Sequence, residues 1–496
     1  MAKPKQFTRP PKKQKSKVVD PETADEYQEA ADREEEAGGK HRAGDPAKSG
    51  RAFVRALEIY DKGLRRYPTN FDLAYNKARL ELEITQHPAL VEHIGVPLID
   101  LLAKTLESHQ YALRLNEENP DTLFNTAQVL TSLAEEYSEA GHSQNAIPLL
   151  QESLELLSGC LARQEMLLEQ QQVDFQDVEE GGVQLDPDEQ PASTDGSDAS
   201  EQTVTVESPL TAGDLLDTVH ASLSALTTLI PLVEASALQT YGDMARAFNE
   251  KKAASYISLL PSDMHDSARF AASLDWAIFI AAFADAQYSF MAIELETYLQ
   301  GLEAFNIEGK EHSAHALCAE AEARTELAHS TVDQAATSSG SEQTCWTQLT
   351  KSQDLYSAAL KLDTEDAKDR RANIYQSKGD VELLRNRLAS APGTTLSEGV
   401  QRSAKTLAQN AQKYYKGAAQ LARSDGDGEL EVKAKQRWMI AADIAAILYG
   451  IEATERPFEG NPQSARGNLI EALESVVEEG LVEMSLGEEI MKRMRG

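Results

Sequence analysis

The segment ALEIYDKGLRRYP, residues 56–68, decides the fold. Ala56, Tyr60 and Gly63 follow one another at four- and three-residue intervals, so a helix would place them on one face. Pro68 ends that helix, because a proline ring is incompatible with a helix interior. Small residues beside one large ring predict close packing against a second helix. The segment therefore predicts one half of a two-helix hairpin that cannot bury its apolar face alone.

Related spacings return along the chain. Ala78 follows Pro68 by ten residues, where the first helix of a next hairpin needs a small residue. Tyr356, Ala359 and Leu360 match the end of a second helix, and Gly379-Asp380 indicates a turn between two helices. The residues that carry the repeat are Ala56, Tyr60, Gly63, Pro68, Ala146, Leu150, Ser153, Tyr356, Ala359, Leu360, Gly379, Asp380, Ala411, Tyr415 and Ala418.

These segments, which touch about half of the chain, resemble the tetratricopeptide-repeat superfamily. Insertions separate some hairpin partners, and the W-x2-L-G opening of the family is never complete. The resemblance implies an α-solenoid with a long concave surface that holds another protein. A generic helical array without that ancestry would have much the same architecture and class of function.

The predicted fold is all-α: antiparallel helix hairpins stacked as a solenoid, with a long acidic disordered insertion. Composition divides the chain into six parts. They are a disordered basic arm (1–20), N-terminal hairpins (21–172), an acidic disordered linker (173–208), a central helical region (209–336), a short linker (337–343) and a C-terminal repeat region (344–496). We expect a last helix over about 463–494 to cap the array.

Charge points to the partner. The chain has 81 acidic and 48 basic residues and a net charge of −33. Such a protein repels nucleic acid and anionic membranes and attracts basic partners. We therefore expect a basic protein partner and no direct binding to nucleic acid or membrane; the oligomeric state stays open. The competing interpretation is that acidity serves only solubility.

Two segments carry opposite charge. The arm holds Lys12, Lys13, Lys15 and Lys17 in a run typical of a nuclear localisation signal, which predicts a nuclear or cytoplasmic protein. Residues 173–208 contain eleven acids and no base. We expect this linker to help cover a basic client, or else to be a solvated spacer. Its candidate partner-binding residues are Asp174, Asp177, Glu179, Glu180, Asp186, Asp188 and Glu189.

The sequence contains few candidates for a catalytic or metal-binding site. His312, His315 and Cys318 have ligand-like spacing, but on a helix the third residue rotates off the face of the first two. Phosphate-binding, dinucleotide-binding and nucleophile motifs are absent from the sequence. We expect no catalytic residue, no metal and no cofactor. The three widely spaced cysteines predict buried thiols in an intracellular protein, and Phe270 to Leu295 is too polar for a membrane span and predicts a core helix.

The favoured function is a non-enzymatic adaptor or dedicated chaperone for a basic partner, such as a ribosomal or other nucleic-acid-binding protein. The alternative is a scaffold or regulatory subunit of a larger complex, in which the acidity is incidental. Salt separates the two, because a basic client should dissociate steeply as ionic strength rises.

Overall fold

The computed structural model describes residues 21–42, 44–180, 209–334, 341–452, 455 and 462–495. In these residues every regular element is helical, which confirms the all-α prediction. The α-helices are α1 Ala24–His41, α2 Pro46–Arg66, α3 Phe71–Thr85, α4 Pro88–Ile94, α5 Leu98–Leu115, α6 Pro120–Glu139, α7 Ser143–Glu180, α8 Ala212–Leu229, α9 Ala235–Ala247, α10 Ala254–Leu259, α11 His265–Ser289, α12 Leu295–Gly301, α13 Ala314–Gln334, α14 Ser341–Ala359, α15 Glu365–Asp369, α16 Arg371–Ser390, α17 Glu398–Asp425, α18 Gly428–Tyr449, α19 Pro462–Glu478 and α20 Met484–Arg495.

Local sequence signals start the first hairpin. Thr23 and Glu26 form a capping box at the start of α1, and the Asp45 side chain accepts the Lys48 amide at the start of α2. Ala56, Tyr60 and Gly63 are buried against α1 and α3, as their spacing predicts. The other repeat positions behave alike: Ala146, Tyr356, Ala359, Ala411, Tyr415 and Ala418 are all at most 2% exposed.

The helices form two layers. The first helix of each hairpin contacts the first helix of the next, in the order α1, α3, α6, α8, α11, α13, α16, α18. The second helices α2, α5, α14 and α17 pack between successive first helices and make no comparable contact with one another in the described chain. Because the first-helix layer is the more closely spaced one, it forms the inner, concave wall. This packing is the tetratricopeptide-like helical repeat that the sequence predicts.

One hydrophobic core joins helices that precede the acidic segment in sequence to helices that follow it. α7 and α8 pack together, and one apolar cluster joins residues of α6 and α7 to residues of α8 through α11. The helix α7 extends to Glu180, past the boundary predicted at residue 172. The N-terminal and central regions are therefore packed side by side rather than separated.

Two glycines that the sequence assigns to breaks lie inside helices. The glycines and proline of residues 38–50 predict a break, with the next helix starting at Arg51. Gly38 instead belongs to α1, and α2 begins at Pro46. A Cβ built on Gly38 would lie 2.4 Å from the Phe53 ring. Gly379 likewise lies inside α16, where a Cβ would lie 2.5 Å from the Tyr415 ring. The predicted turn at Gly379-Asp380 is therefore wrong, because this glycine serves helix contact and not chain reversal.

Other boundaries differ less. The sequence predicts helices over Phe71–Thr85 and Leu98–Leu115, and α3 and α5 have these bounds. The helix α4 fills the predicted insertion between them. Ser341 begins α14, so the end of the predicted 337–343 linker is helical. The single helix expected over 463–494 is instead two helices, α19 and α20, separated by a turn in which Gly480 has φ of +70°. That left-handed backbone suits glycine and ends α19.

Two described segments are long and apolar enough to span a membrane by length and composition alone, Ala212–Leu232 and Ser262–Ser289. Both pack against other helices of the array, and the second carries Asp275 and Asp285. Core helices pass the same test, so the observation is weak.

An acidic concave surface as the candidate functional site

A tyrosine–carboxylate contact ties the hairpins together. In the first hairpin the Tyr60 hydroxyl donates to Glu35 Oε1 at 2.6 Å. Glu35 also pairs with Arg79 on α3, the next first helix. The carboxylate therefore joins a second helix to two successive first helices, and we call this contact the N-terminal node.

The C-terminal region repeats the arrangement. The Tyr415 hydroxyl donates to Asp380 Oδ1 at 2.6 Å, and Asp380 pairs with Arg437 on α18. Arg437 Nη2 also donates to Glu479 at 2.5 Å. Burial alone would lower the pKa of Arg437, but Asp380, Tyr415 and Glu479 raise it overall. We call this set the C-terminal node.

Two related contacts lie between the nodes. The Tyr298 hydroxyl donates to Asp285 at 3.0 Å, and Ser330 on α13 donates to the same oxygen at 2.5 Å. Tyr356 on α14 bonds Ser377 on α16. In each case a tyrosine from a second helix reaches a polar group on the inner wall. In the first contact, Asp285 of α11 connects Tyr298 to Ser330 of α13, the next first helix. In the second contact, Tyr356 of α14 bonds the next first helix, α16, directly. These contacts fix the positions of the helices that line the concave surface.

One cleft on this surface is strongly acidic. It has a volume of about 450 Å³ and lies between α13, α16 and the end of α19. Its carboxylates are Glu322, Glu326, Asp380, Glu478 and Glu479. None of the residues that line it is Lys or Arg. We call it the acidic cleft; its wall has the charge that a basic polypeptide segment requires.

The electrostatics of Glu322 reflect this setting. Its side chain reaches solvent, yet surrounding protein desolvates it and raises its pKa, and Arg370 offsets this only in part. A cation entering the cleft would restore part of the lost solvation. The cleft therefore gains more from a basic ligand than scattered surface carboxylates would.

A second group of carboxylates gathers where the array curves back. Burial raises the pKa of Glu136 on α6, and the nearby Glu139, Glu429 and Glu135 raise it further. Glu429 belongs to the first turn of α18. A Cβ built on Gly428 would also lie 3.4 Å from Glu92 of α4. The early hairpins and α18 are thus close, and carboxylates face one another there.

The predicted binding residues are distributed differently. Asp174, Asp177, Glu179 and Glu180 lie on the last turns of α7, whose backbone alone is described there. Asp186, Asp188 and Glu189, and the four lysines of the arm, lie outside the described residues. Two residues of the acidic cleft, Tyr356 and Asp380, are repeat positions in the sequence, but the repeat does not mark them as binding residues. The i, i+4 pair Glu322 and Glu326 on a predicted helix was the only local signal.

The structure separates His312 and Cys318, two of the three residues whose spacing resembles that of zinc ligands. His312 is largely exposed in a short turn, whereas Cys318 is buried in α13. Among the described residues, no three His, Cys, Asp or Glu side chains are grouped to hold a metal ion. The three cysteines are buried as predicted, and burial raises the pKa of Cys160 and Cys345 to about 11 and that of Cys318 to about 12.

Comparisons with known proteins add limited information. No family model matches the sequence. The UPF0656 protein C926.02 of Schizosaccharomyces pombe is 37% identical over 155 residues, which cover 31% of this chain and 34% of that protein. This chain therefore matches about a third of the length of that relative.

Two solved structures show partial likeness. A circular tandem repeat protein with a novel repeat topology is 14% identical, with 96% of this chain and 99% of that chain covered and a TM-score of 0.27. Yeast Tom70 is 10% identical, with 94% and 95% covered and a TM-score of 0.18. Because these TM-scores are low, the helical-repeat assignment depends on the hairpin packing described above.

Proposed function

We propose that this protein is a non-enzymatic adaptor or dedicated chaperone for a basic protein, such as a ribosomal or other nucleic-acid-binding protein. The helical-repeat fold is an architecture of protein-binding adaptors and scaffolds. The observation that carries the finer proposal is the acidic cleft: none of its lining residues is Lys or Arg, although Arg437, outside the lining, pairs with two of its five carboxylates, Asp380 and Glu479.

The acidic cleft acts on a basic client in two ways. Its field attracts Lys and Arg side chains from solution, and its carboxylates accept their hydrogen bonds. A client that carries many cations would otherwise bind nucleic acid without selectivity. Covering those cations keeps the client soluble until it reaches its destination. The acidic segment 173–208 would add avidity, because it is tethered to the same chain.

Binding of a fluorescent Lys/Arg-rich peptide tests the proposal. We expect affinity to fall steeply between 50 and 300 mM NaCl, because exposed ion pairs are screened. The double variant Glu322→Gln/Glu326→Gln should bind about tenfold more weakly, the usual order for losing hydrogen bonds to charged groups. The matched control is Glu152→Gln/Glu155→Gln, which removes the same charge from exposed positions of the second helix α7.

Equal weakening in both double variants would mean that only net charge matters. Binding that ignores salt would favour the scaffold alternative, in which acidity is incidental. A third variant concerns the arm: deleting residues 1–18 should abolish nuclear accumulation of a fluorescent fusion. Unchanged accumulation would remove the import role of Lys12, Lys13, Lys15 and Lys17.

A further inference from the structure

A second cleft, in the central region, has a different chemistry. It has a volume of about 960 Å³, larger than the acidic cleft. Its walls come from the segment before α10, the N-terminal half of α11 and the segment after α12. The residues that matter are Asn249, Ile257, Phe270, Ser273, Trp276 and Ile307. We call it the aromatic cleft.

The helix α11 exposes unusual apolar surface beside this cleft. Only 33% of its most apolar stretch is buried, against 56% for the comparable helix α8. Near the cleft but outside its lining, Leu259 at the end of α10 and Met264 in the turn before α11 are 52% and 48% exposed. Large apolar side chains exposed around a concave site are typical of a surface that binds a partner.

The backbone next to the cleft is irregular. Residues Phe248–Ala253 form a π-helix between α9 and α10, and Asn249 and Ala253 of this segment line the cleft. A π-turn takes one more residue than an α-turn, so it changes which side chains face the cleft. The Asn249 amide has no side-chain hydrogen bond within the described residues, which leaves a donor and an acceptor for a ligand.

The lining defines the ligand. Trp276, Phe279 and Phe283 stack in series at centroid distances of 5.7 and 5.8 Å, and Trp276 is at the cleft. Asn249 and Asn306 present amides that match a peptide backbone. The charged residues at the cleft are Asp266, Glu308 and Arg269, and Arg269 is already paired with Asp266 at 3.0 Å.

We propose that the aromatic cleft binds a large apolar side chain, preferably aromatic, within a basic segment of the client. The charge of the cleft favours this occupant, because Glu308 adds acidity that the Asp266–Arg269 pair does not neutralise. The inference rests on the proposed function and extends it. The acidic cleft supplies a salt-dependent contact, and the aromatic cleft supplies one that resists salt, since apolar burial does not weaken with screening.

Two peptides of equal charge test this inference on the full chain. One carries Phe-Leu-Phe between lysine runs, and the other carries Ser-Ser-Ser at the same places. Anisotropy at 50 and 500 mM NaCl measures the dissociation constants. We expect the aromatic peptide to bind at least tenfold more tightly at 500 mM.

A blocking variant locates the contact. Ser273 is exposed and lines the cleft, so Ser273→Trp fills it without disturbing the core. The matched control is Ser267→Trp, also exposed on α11 but outside the cleft. We expect Ser273→Trp to remove the tenfold advantage of the aromatic peptide and Ser267→Trp to keep it.

The outcomes separate the two proposals. If the serine peptide binds in a salt-dependent way but Ser273→Trp and Ser267→Trp behave alike, the aromatic cleft is not the site and the proposed function stands. If neither peptide binds even at 50 mM, the proposed function itself fails. Self-association of the wild type that Ser273→Trp abolishes, seen by sedimentation, would identify a second copy as the occupant and overturn the inference.

Discussion

The N-terminal and C-terminal nodes have the same chemistry in different surroundings. At the N-terminal node the side chains of Glu35 and Arg79 are 14% and 36% exposed. At the C-terminal node those of Asp380 and Arg437 are 19% and 7% exposed. Arg437 also binds Glu479, so a single buried cation serves two carboxylates that belong to the lining of the acidic cleft.

The difference concerns how much each node depends on its arginine. Arg79 reaches solvent, so water can take its place beside Glu35, whereas Arg437 is enclosed and water cannot readily replace it between two carboxylates. The same repeat geometry therefore gives one contact that should lose little stability without its arginine and another that should lose much more. Three pairs of substitutions test this comparison, and a change of pH tests the N-terminal hairpins alone. Local hydrogen exchange is the suitable measurement because repeat arrays do not unfold as one unit.

The largest expected effect is the loss of Arg437. Arg437→Ala leaves Asp380 and Glu479 without their shared cation, and such losses cost about 3–5 kcal/mol. Arg79→Ala should cost about 1 kcal/mol, because Arg79 itself reaches solvent and water can replace it. Native-state exchange of α16–α18 in the first variant and α1–α3 in the second reports both values. Similar losses in the two variants would show that burial does not distinguish the nodes.

A methyl group added beneath Tyr415 should come next. Gly379→Ala places a carbon 2.5 Å from the ring, and such overpacking costs about 3 kcal/mol at the upper end of its usual range. The counterpart Gly63→Ala meets Leu73 at 3.0 Å and Tyr27 at 3.1 Å and should cost less. Native-state hydrogen exchange of α16 and α17 in the first variant and of α2 and α3 in the second compares them. Stabilisation by Gly379→Ala would show that Tyr415 moves aside freely.

Acid should weaken the N-terminal hairpins selectively. His109 on α5 is fully buried, and burial lowers its pKa to about 4. The unfolded chain binds a proton near pH 6.5 and the folded chain does not, so stability is complete above pH 6.5 and is lost as pH falls towards 4. The loss at pH 5 is about 2 kcal/mol.

Hydrogen exchange in α3 and α5 at pH 7.5 and 5.0, corrected for intrinsic rates, measures that loss. His109→Gln is the control, because it cannot be protonated in this range. If the variant and the wild type lose the same protection on acidification, His109 is not the cause.

The smallest expected effect is the loss of one hydroxyl. Tyr415→Phe removes the 2.6 Å hydrogen bond to Asp380 but leaves Arg437 in place, so we expect about 1 kcal/mol. Tyr60→Phe should cost less, because its node opens to solvent at Arg79, through which water can reach the Glu35 carboxylate. Native-state hydrogen exchange of α16–α18 in the first variant and of α1–α3 in the second gives the order. A larger cost for Tyr60→Phe would reverse the comparison.

Much of the repeat could be predicted because its signals are local. Ala56, Tyr60, Ala411 and Tyr415 are buried as their spacing indicates, and the bounds of α3 and α5 follow from capping residues and prolines. The breaks predicted at two glycines were wrong. Gly38 and Gly379 are chain breakers by composition, but each sits under an aromatic ring from the neighbouring helix, which the local sequence cannot show.

The acidic cleft was harder to find for the same reason. Glu322 and Glu478 lie far apart in sequence and meet only because α13, α16 and α19 converge. Carboxylates are so common in this chain that no pair stands out. The aromatic cleft was equally hidden, since the exposure of α11 depends on how little of it its neighbours cover.

The sequence alone determined the helical content, the hairpin repeat and the acidic balance, because these depend on spacing along one helix and on counting charges. Tertiary structure decided which carboxylates gather in one cleft, which arginine is buried and which apolar helix stays largely exposed. Those properties depend on distances between helices that are remote in sequence. A pattern within a single helix carries no information about such distances.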